Sequence, residues 1–82
     1  MPHILIVEDE PAMRDGLRDN LEFEGYDVDT ANDGEGGLAA LREKRYDLCL
    51  LDVMMPVRSG FDVCRTARAE GVTTPIFLLT AK

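Results

Sequence analysis

The feature that most constrains this chain is the stretch Tyr46 to Pro56, YDLCLLDVMMP, in which the apolar run Leu48-Cys49-Leu50-Leu51 stops at a single carboxylate, Asp52. A short continuous apolar run of this kind predicts a strand buried on both faces, as in a parallel sheet covered by helices. Pro56 has no N–H for a ladder and restricts the residue before it, so the strand ends before that point. Asp52 is thereby predicted at the carboxyl end of a central strand, where open α/β sheets place their ligand sites. The competing reading is that Asp52 caps the next helix or accepts amides of its own loop.

The rest of the chain supplies the partners such a strand needs. His3 to Val7 (HILIV) is a second apolar, β-branched run, and it also ends in acid, Glu8-Asp9-Glu10. Pro11 opens a helix that Asp9 can cap, with Met13, Leu17 and Leu21 as its apolar stripe and Gly25 as its stop. Tyr26 to Ala31 alternates apolar and polar, the pattern of a half-exposed edge strand. Asn32-Asp33-Gly34 turns the chain into a second helix, Glu35 to Lys44, carrying Leu38 and Leu41 and weakened by Gly36 and Gly37. After a loop at Val57-Arg58-Ser59-Gly60, a third helix runs from Phe61 to Ala69, presenting Phe61, Cys64, Ala67 and Arg68 on or beside one face. Gly71 ends it, Thr74-Pro75 turns, and Ile76 to Leu79 is a fourth strand ending Thr80-Ala81-Lys82. The order is βαβαβαβ, and right-handed crossovers then give a parallel sheet with helices on both faces.

Size and charge narrow the function classes. The 82 residues suffice for one small domain. Nine basic side chains against 16 acidic ones give a net charge of −7, which argues against direct nucleic-acid binding and fits a soluble domain that meets cations or basic surfaces. Cys49 and Cys64 are too few for a disulfide scaffold and are expected to be buried thiols of a reduced, cytoplasmic protein. The N-terminus leads directly into a strand without a signal peptide, and no apolar run approaches the roughly 20 residues of a membrane helix.

In a parallel sheet the carboxyl ends of all strands share one edge. The first strand delivers Glu8 and Asp9 there, the third Asp52 and the fourth Thr80. Three converging carboxylates repel one another unless a positive charge lies between them. Mg²⁺ suits that role, since it takes oxygen ligands at about 2.0–2.1 Å and favours one or two carboxylates plus a phosphate oxygen. Backbone carbonyls after Asp52 can complete its shell. An aspartate can also attack phosphorus and form an aspartyl phosphate, with a nearby hydroxyl contacting the new group. The competing reading of Glu8-Asp9-Glu10 is ordinary acid facing a helix N-terminus. No glycine-rich phosphate loop follows the first strand, which disfavours the usual nucleotide sites.

Taken together, IVEDE after the first strand, LLDVMMP at the third, Gly60, and LLTAK at the fourth resemble the receiver domain of bacterial two-component response regulators. The similarity runs along the whole chain, most closely to receivers that precede a winged-helix DNA-binding domain. The resemblance implies a flavodoxin-like, doubly wound sheet of strand order 2-1-3-4. It also implies that Asp52 is the phosphoacceptor, charged from a phosphohistidine on a sensor histidine kinase. Glu8, Asp9, Asp52 and the backbone carbonyl of Met54 would then hold Mg²⁺, and Thr80 would be the switch hydroxyl. Pro56 and Gly60 would shape the loop after the acceptor. Such a domain accepts a phosphoryl group and is not a turnover enzyme, and it regulates transcription through an output domain. Family members have five strands and five helices, so residues 1–82 resemble a receiver truncated after its fourth strand, without the fifth-strand lysine. Lys82 is not that lysine by position, although its side chain could reach the crevice.

Two other readings remain open. One is a self-associating receiver fragment with an idle acidic site, pairing through Ile76–Leu79, whose apolar pattern suits an interior strand but which would here be an exposed edge. The other is a Mg²⁺-dependent phosphohydrolase, disfavoured because Val53, Met54 and Met55 offer no second acid after Asp52. His3 is expected to begin a strand; Arg58, next to the acceptor loop, could steer phosphate or a partner, but a solvated loop charge is the expected reading. The site reading requires Glu8, Asp9 and Asp52 to meet, and Asp52 to be reachable from solvent.

Overall fold

The computed structural model describes residues 1–80. Its elements are β1 (His3–Val7), α1 (Pro11–Phe23), β2 (Asp27–Ala31), α2 (Gly34–Glu43), β3 (Leu48–Asp52), α3 (Gly60–Ala69) and β4 (Ile76–Leu79). All strand pairings are parallel and the sheet order is β2-β1-β3-β4. This is the order expected of the doubly wound fold.

The apolar patterning explains the layers. Leu5 and Val7 of β1 and Cys49 and Leu51 of β3 form one core with Leu38 and Leu41 of α2 and Val63 and Ala67 of α3. Ile4 and Ile6 alternate with them and are also buried, as expected of a central strand covered on both faces. Helix α1 contacts β1 and β2, yet no α1 residue is fully buried, and Met13, Leu17 and Leu21 are half-buried. Among the described residues, then, one sheet face is closed by two helices and the other by one. β4 is an edge of the sheet with Phe77 61% exposed.

Several local expectations are corrected. Asp9 does not cap α1; the cap position is Glu10, with no side-chain capping bond. Cys64 is half-buried, unlike Cys49. Phe61 lies outside the buried stripe of α3, which is Gly60, Val63 and Ala67, because it stands two residues, about 200° of helix, before Val63 and so faces solvent. Gly37 serves packing: a Cβ there would lie 2.7 Å from Val7 Cγ2, so its absence lets α2 approach β1. Asp33 and Ser59 cap α2 and α3 by accepting from the Gly36 and Asp62 amides at 2.7 and 3.2 Å.

Candidate metal and phosphoacceptor site

Strand register brings the acids together. Val7 lies opposite Leu51, so the next residue on each strand, Glu8 and Asp52, are neighbours at the carboxyl edge. The Glu8 N–H continues the ladder to the Ala31 carbonyl at 3.1 Å, and Asp9 follows at the turn into α1. One carboxylate oxygen from each of Glu8, Asp9 and Asp52 lies within 4.8 Å of the others. The predicted trio therefore meets.

The loops fix the site's rim. The Met54 N–H donates to Asp52 Oδ1 at 3.0 Å, and the Glu10 N–H to Glu8 Oε2 at 3.1 Å. The reading of Asp52 as an acceptor of its own loop amides is thus also correct, and it orients the carboxylate without removing it from the cluster. The Gly60 N–H closes the loop onto the Val53 carbonyl at 3.1 Å, and the Val53 N–H bonds the Leu79 carbonyl at 3.0 Å. Gly60 is required sterically, since a Cβ there would lie 2.4 Å from the Asp52 carbonyl oxygen.

The requirement that Asp52 be reachable from solvent is not met in this structure. Glu8 is 0% and Asp52 1% exposed, whereas Asp9 is half-buried. Asp52 is enclosed because its own loop folds back over it through Met54 and Gly60.

Thr80 follows β4 directly, one residue beyond Leu79, the register partner of Asp52, and is exposed. It stands at the same edge but outside the acidic trio. Met54 is exposed, with its amide engaged as above. Lys82 lies outside the described residues.

Two arginines make contacts that the sequence reading did not give them. Arg14 on α1 donates to the Glu8 carbonyl at 3.5 Å, placing a cation beside the acids; nothing in a spacing of six residues across a turn signals this. Arg58, read as a solvated charge, is engaged: Nε lies 2.9 Å from Glu35 Oε1, and Nη1 donates to Thr66 Oγ1 at 3.4 Å.

The donor set suits a hard divalent cation, being three carboxylates with no sulfur or imidazole. Their oxygens lie within 4.8 Å of one another, against roughly 3.0 Å between adjacent and 4.2 Å between opposite ligands of an octahedral ion bound at about 2.1 Å.

Comparison with known proteins agrees. The chain matches the response regulator receiver domain over residues 4–82. It is 49% identical over its full length to the transcriptional regulatory protein AfsQ1 of Streptomyces coelicolor, covering 36% of that protein. It is 47% identical to the response regulator MprA of Mycobacterium leprae, over 96% of this chain and 35% of that one. The chain thus spans about a third of the length of these curated relatives. The response regulator TrrA of Thermotoga maritima, solved in complex with Mg²⁺–BeF, superposes with a TM-score of 0.92 at 43% identity, over 100% of this chain and 71% of that one. TrrA has also been solved in complex with the histidine kinase ThkA, where it superposes with a TM-score of 0.90 at 43% identity, over 99% of this chain and 70% of that one. No helix among the described residues is long and apolar enough to cross a membrane. With fold, acidic edge and sequence in agreement over nearly its whole length, the chain belongs to the response regulator receiver domain family.

Proposed function

We propose that this chain is the phosphoacceptor part of a longer, cytoplasmic transcriptional regulator, and that Asp52 receives a phosphoryl group from the phosphohistidine of a sensor histidine kinase. The observation that carries this reading is the meeting of Glu8, Asp9 and Asp52 within 4.8 Å at the end of the central strands. The named relatives support it: AfsQ1 is a transcriptional regulatory protein, and TrrA was solved both with Mg²⁺–BeF and with a histidine kinase.

In this reading an Asp52 carboxylate oxygen forms a bond to phosphorus as the donor's P–N bond breaks, and the departing imidazole nitrogen keeps the electron pair. Mg²⁺, when bound, supplies positive charge to the phosphoryl oxygens. Glu8, Asp9 and Asp52, with the Met54 carbonyl, would hold it. The Met54 N–H holds Asp52 Oδ1 and so sets the rotamer of the nucleophile. Thr80, at the neighbouring strand end, supplies a hydroxyl to the new phosphoryl group. The domain is an acceptor whose own groups promote transfer, rather than an enzyme with an external product.

The test is to incubate the protein with acetyl phosphate and Mg²⁺ and to weigh it intact. One phosphoryl adduct that is lost in Asp52→Asn and without Mg²⁺ supports the reading. An adduct that persists in Asp52→Asn, or none in the parent protein, refutes it.

A second reading is favoured by β4, an apolar edge strand of Ile76–Leu79 with no charge to guard it and Phe77 61% exposed. In that reading the chain self-associates through β4 with an idle acidic site. A concentration-dependent dimer by sedimentation together with no phosphoryl adduct would select it; a monomer would remove it.

A further inference from the structure

We infer that Arg58 is a positioning residue for the acidic site: by anchoring on α2 and α3 it holds the loop after Asp52 in a strained turn. The inference rests on the reading of that site as a cation and phosphoryl site.

The strain is local and identifiable. The Arg58 N–H donates to the Pro56 carbonyl at 2.7 Å, closing a three-residue turn around Val57. Val57 has φ +67°, and it is the one described non-glycine residue with positive φ. Turns of this hand are rare, and a β-branched side chain is especially disfavoured there. Left to itself, such a residue would bias the loop against this turn by roughly 5- to 150-fold in population. Val57 recovers nothing through packing, being 104% exposed. Neighbouring structure must therefore over-determine the turn.

Arg58 is the residue placed to do so. Its guanidinium reaches Glu35 in the first turn of α2 and Thr66 in α3, at 2.9 and 3.4 Å. Gly34 makes room for it, because a Cβ at that position would lie 3.0 Å from both Arg58 Cβ and the Arg58 carbonyl oxygen. The other end of the same loop is the site itself, through the Met54 amide on Asp52 and the Gly60 amide on Val53. The loop is thus pinned at Asp52 and at α2 and α3, with the unfavourable φ between the pins. Loss of the Arg58 anchors frees Val57 to relax and lowers the fraction of molecules with the loop set for binding. Apparent affinity falls by that same fraction.

The test measures Mg²⁺ binding to the full chain by calorimetry at fixed ionic strength, for the parent, Arg58→Ala, Val57→Gly and the double variant. Arg58→Ala is expected to weaken binding ~5-fold or more. Its charge effect alone has the opposite sign, since removing a positive charge from the protein favours binding of another cation. Val57→Gly removes the φ penalty, so the double variant is expected to bind within about twofold of Val57→Gly alone. Amide hydrogen exchange at residue 58 without metal is expected to quicken in Arg58→Ala and slow again in the double variant. Unchanged or tighter Mg²⁺ binding in Arg58→Ala, or a double variant no better than it, overturns the inference. If the parent binds no Mg²⁺, the reading of the site fails, and exchange at residue 58 alone decides the role of Arg58. Glu35→Gln, whose side chain is 70% exposed, replaces Arg58→Ala if that variant does not fold.

Discussion

Adding one methyl group at each of two glycines should have opposite effects on this protein. A Cβ at Gly60 would sit 2.4 Å from the Asp52 carbonyl oxygen and 2.9 Å from both Asp52 C and Val53 Cα. These are backbone atoms of a central strand end and cannot swing aside as a side-chain tip can. Overpacking of this kind costs about 1–3 kcal/mol. The helical gain of alanine over glycine, at most about 1 kcal/mol in a helix interior, is smaller at the first residue of α3. Gly60→Ala should therefore lose about 1–2 kcal/mol. At Gly16, inside α1, a Cβ meets nothing within 4 Å, so Gly16→Ala should gain about 0.5–1 kcal/mol. Urea unfolding followed by circular dichroism resolves both. With m near 1 kcal/mol/M, Gly60→Ala should lower the midpoint by about 1–2 M while Gly16→Ala raises it. Because the clash falls on Asp52 itself, Gly60→Ala should also shift the Asp52 amide resonance. A Gly60→Ala protein as stable as the parent, with that resonance unmoved, would refute the claim that loop closure at Gly60 sets the position of Asp52.

Other outcomes follow from groups away from the site. The Tyr46 hydroxyl, 2.8 Å from Asp29 Oδ2, is the main cause holding the Asp29 carboxyl below its usual range, with Lys44 and His3 assisting. A depressed carboxylate stabilises the fold above its unfolded-state pKa, and that stability is lost as pH falls through the folded value. Tyr46→Phe should thus weaken the fold near neutral pH and flatten its acid dependence below about pH 4; because Asp29 is partly exposed, the loss should stay under ~1 kcal/mol, read from unfolding midpoints across pH. Burial pushes the Cys49 thiol up to about 12, so an alkylating reagent at pH 8 should label half-buried Cys64 and spare Cys49 until the protein unfolds. Leu51→Ala, at a fully buried position of β3, should cost about 2–5 kcal/mol by thermal or urea unfolding.

The fold was legible because the strands differ in kind. The runs LCLL and ILIV are apolar throughout and proved central, whereas DVDTA alternates and proved an edge. Counting residues along β1 and β3 to their acids was enough to place Glu8, Asp9 and Asp52 together, since parallel register aligns strand ends. What stayed hidden depends on contacts between elements distant in sequence. The grip of Arg58 on Glu35 and Thr66 crosses two helices, and the Arg14 bond to the Glu8 carbonyl crosses a turn. Gly37 read as a helix weakener because propensity carries no information about Val7 beneath it. The enclosure of Asp52 was equally invisible, because it arises where the following loop folds back through Met54 and Gly60.

The convergence of three carboxylates on one divalent ion is tested most directly by crystals of the protein soaked in Mn²⁺, whose anomalous signal marks the ion. A single strong peak in contact with carboxylate oxygens of Glu8, Asp9 and Asp52 is the predicted result. Glu8, Asp9 and Asp52 standing apart, with no peak between them at saturating Mn²⁺, would contradict it.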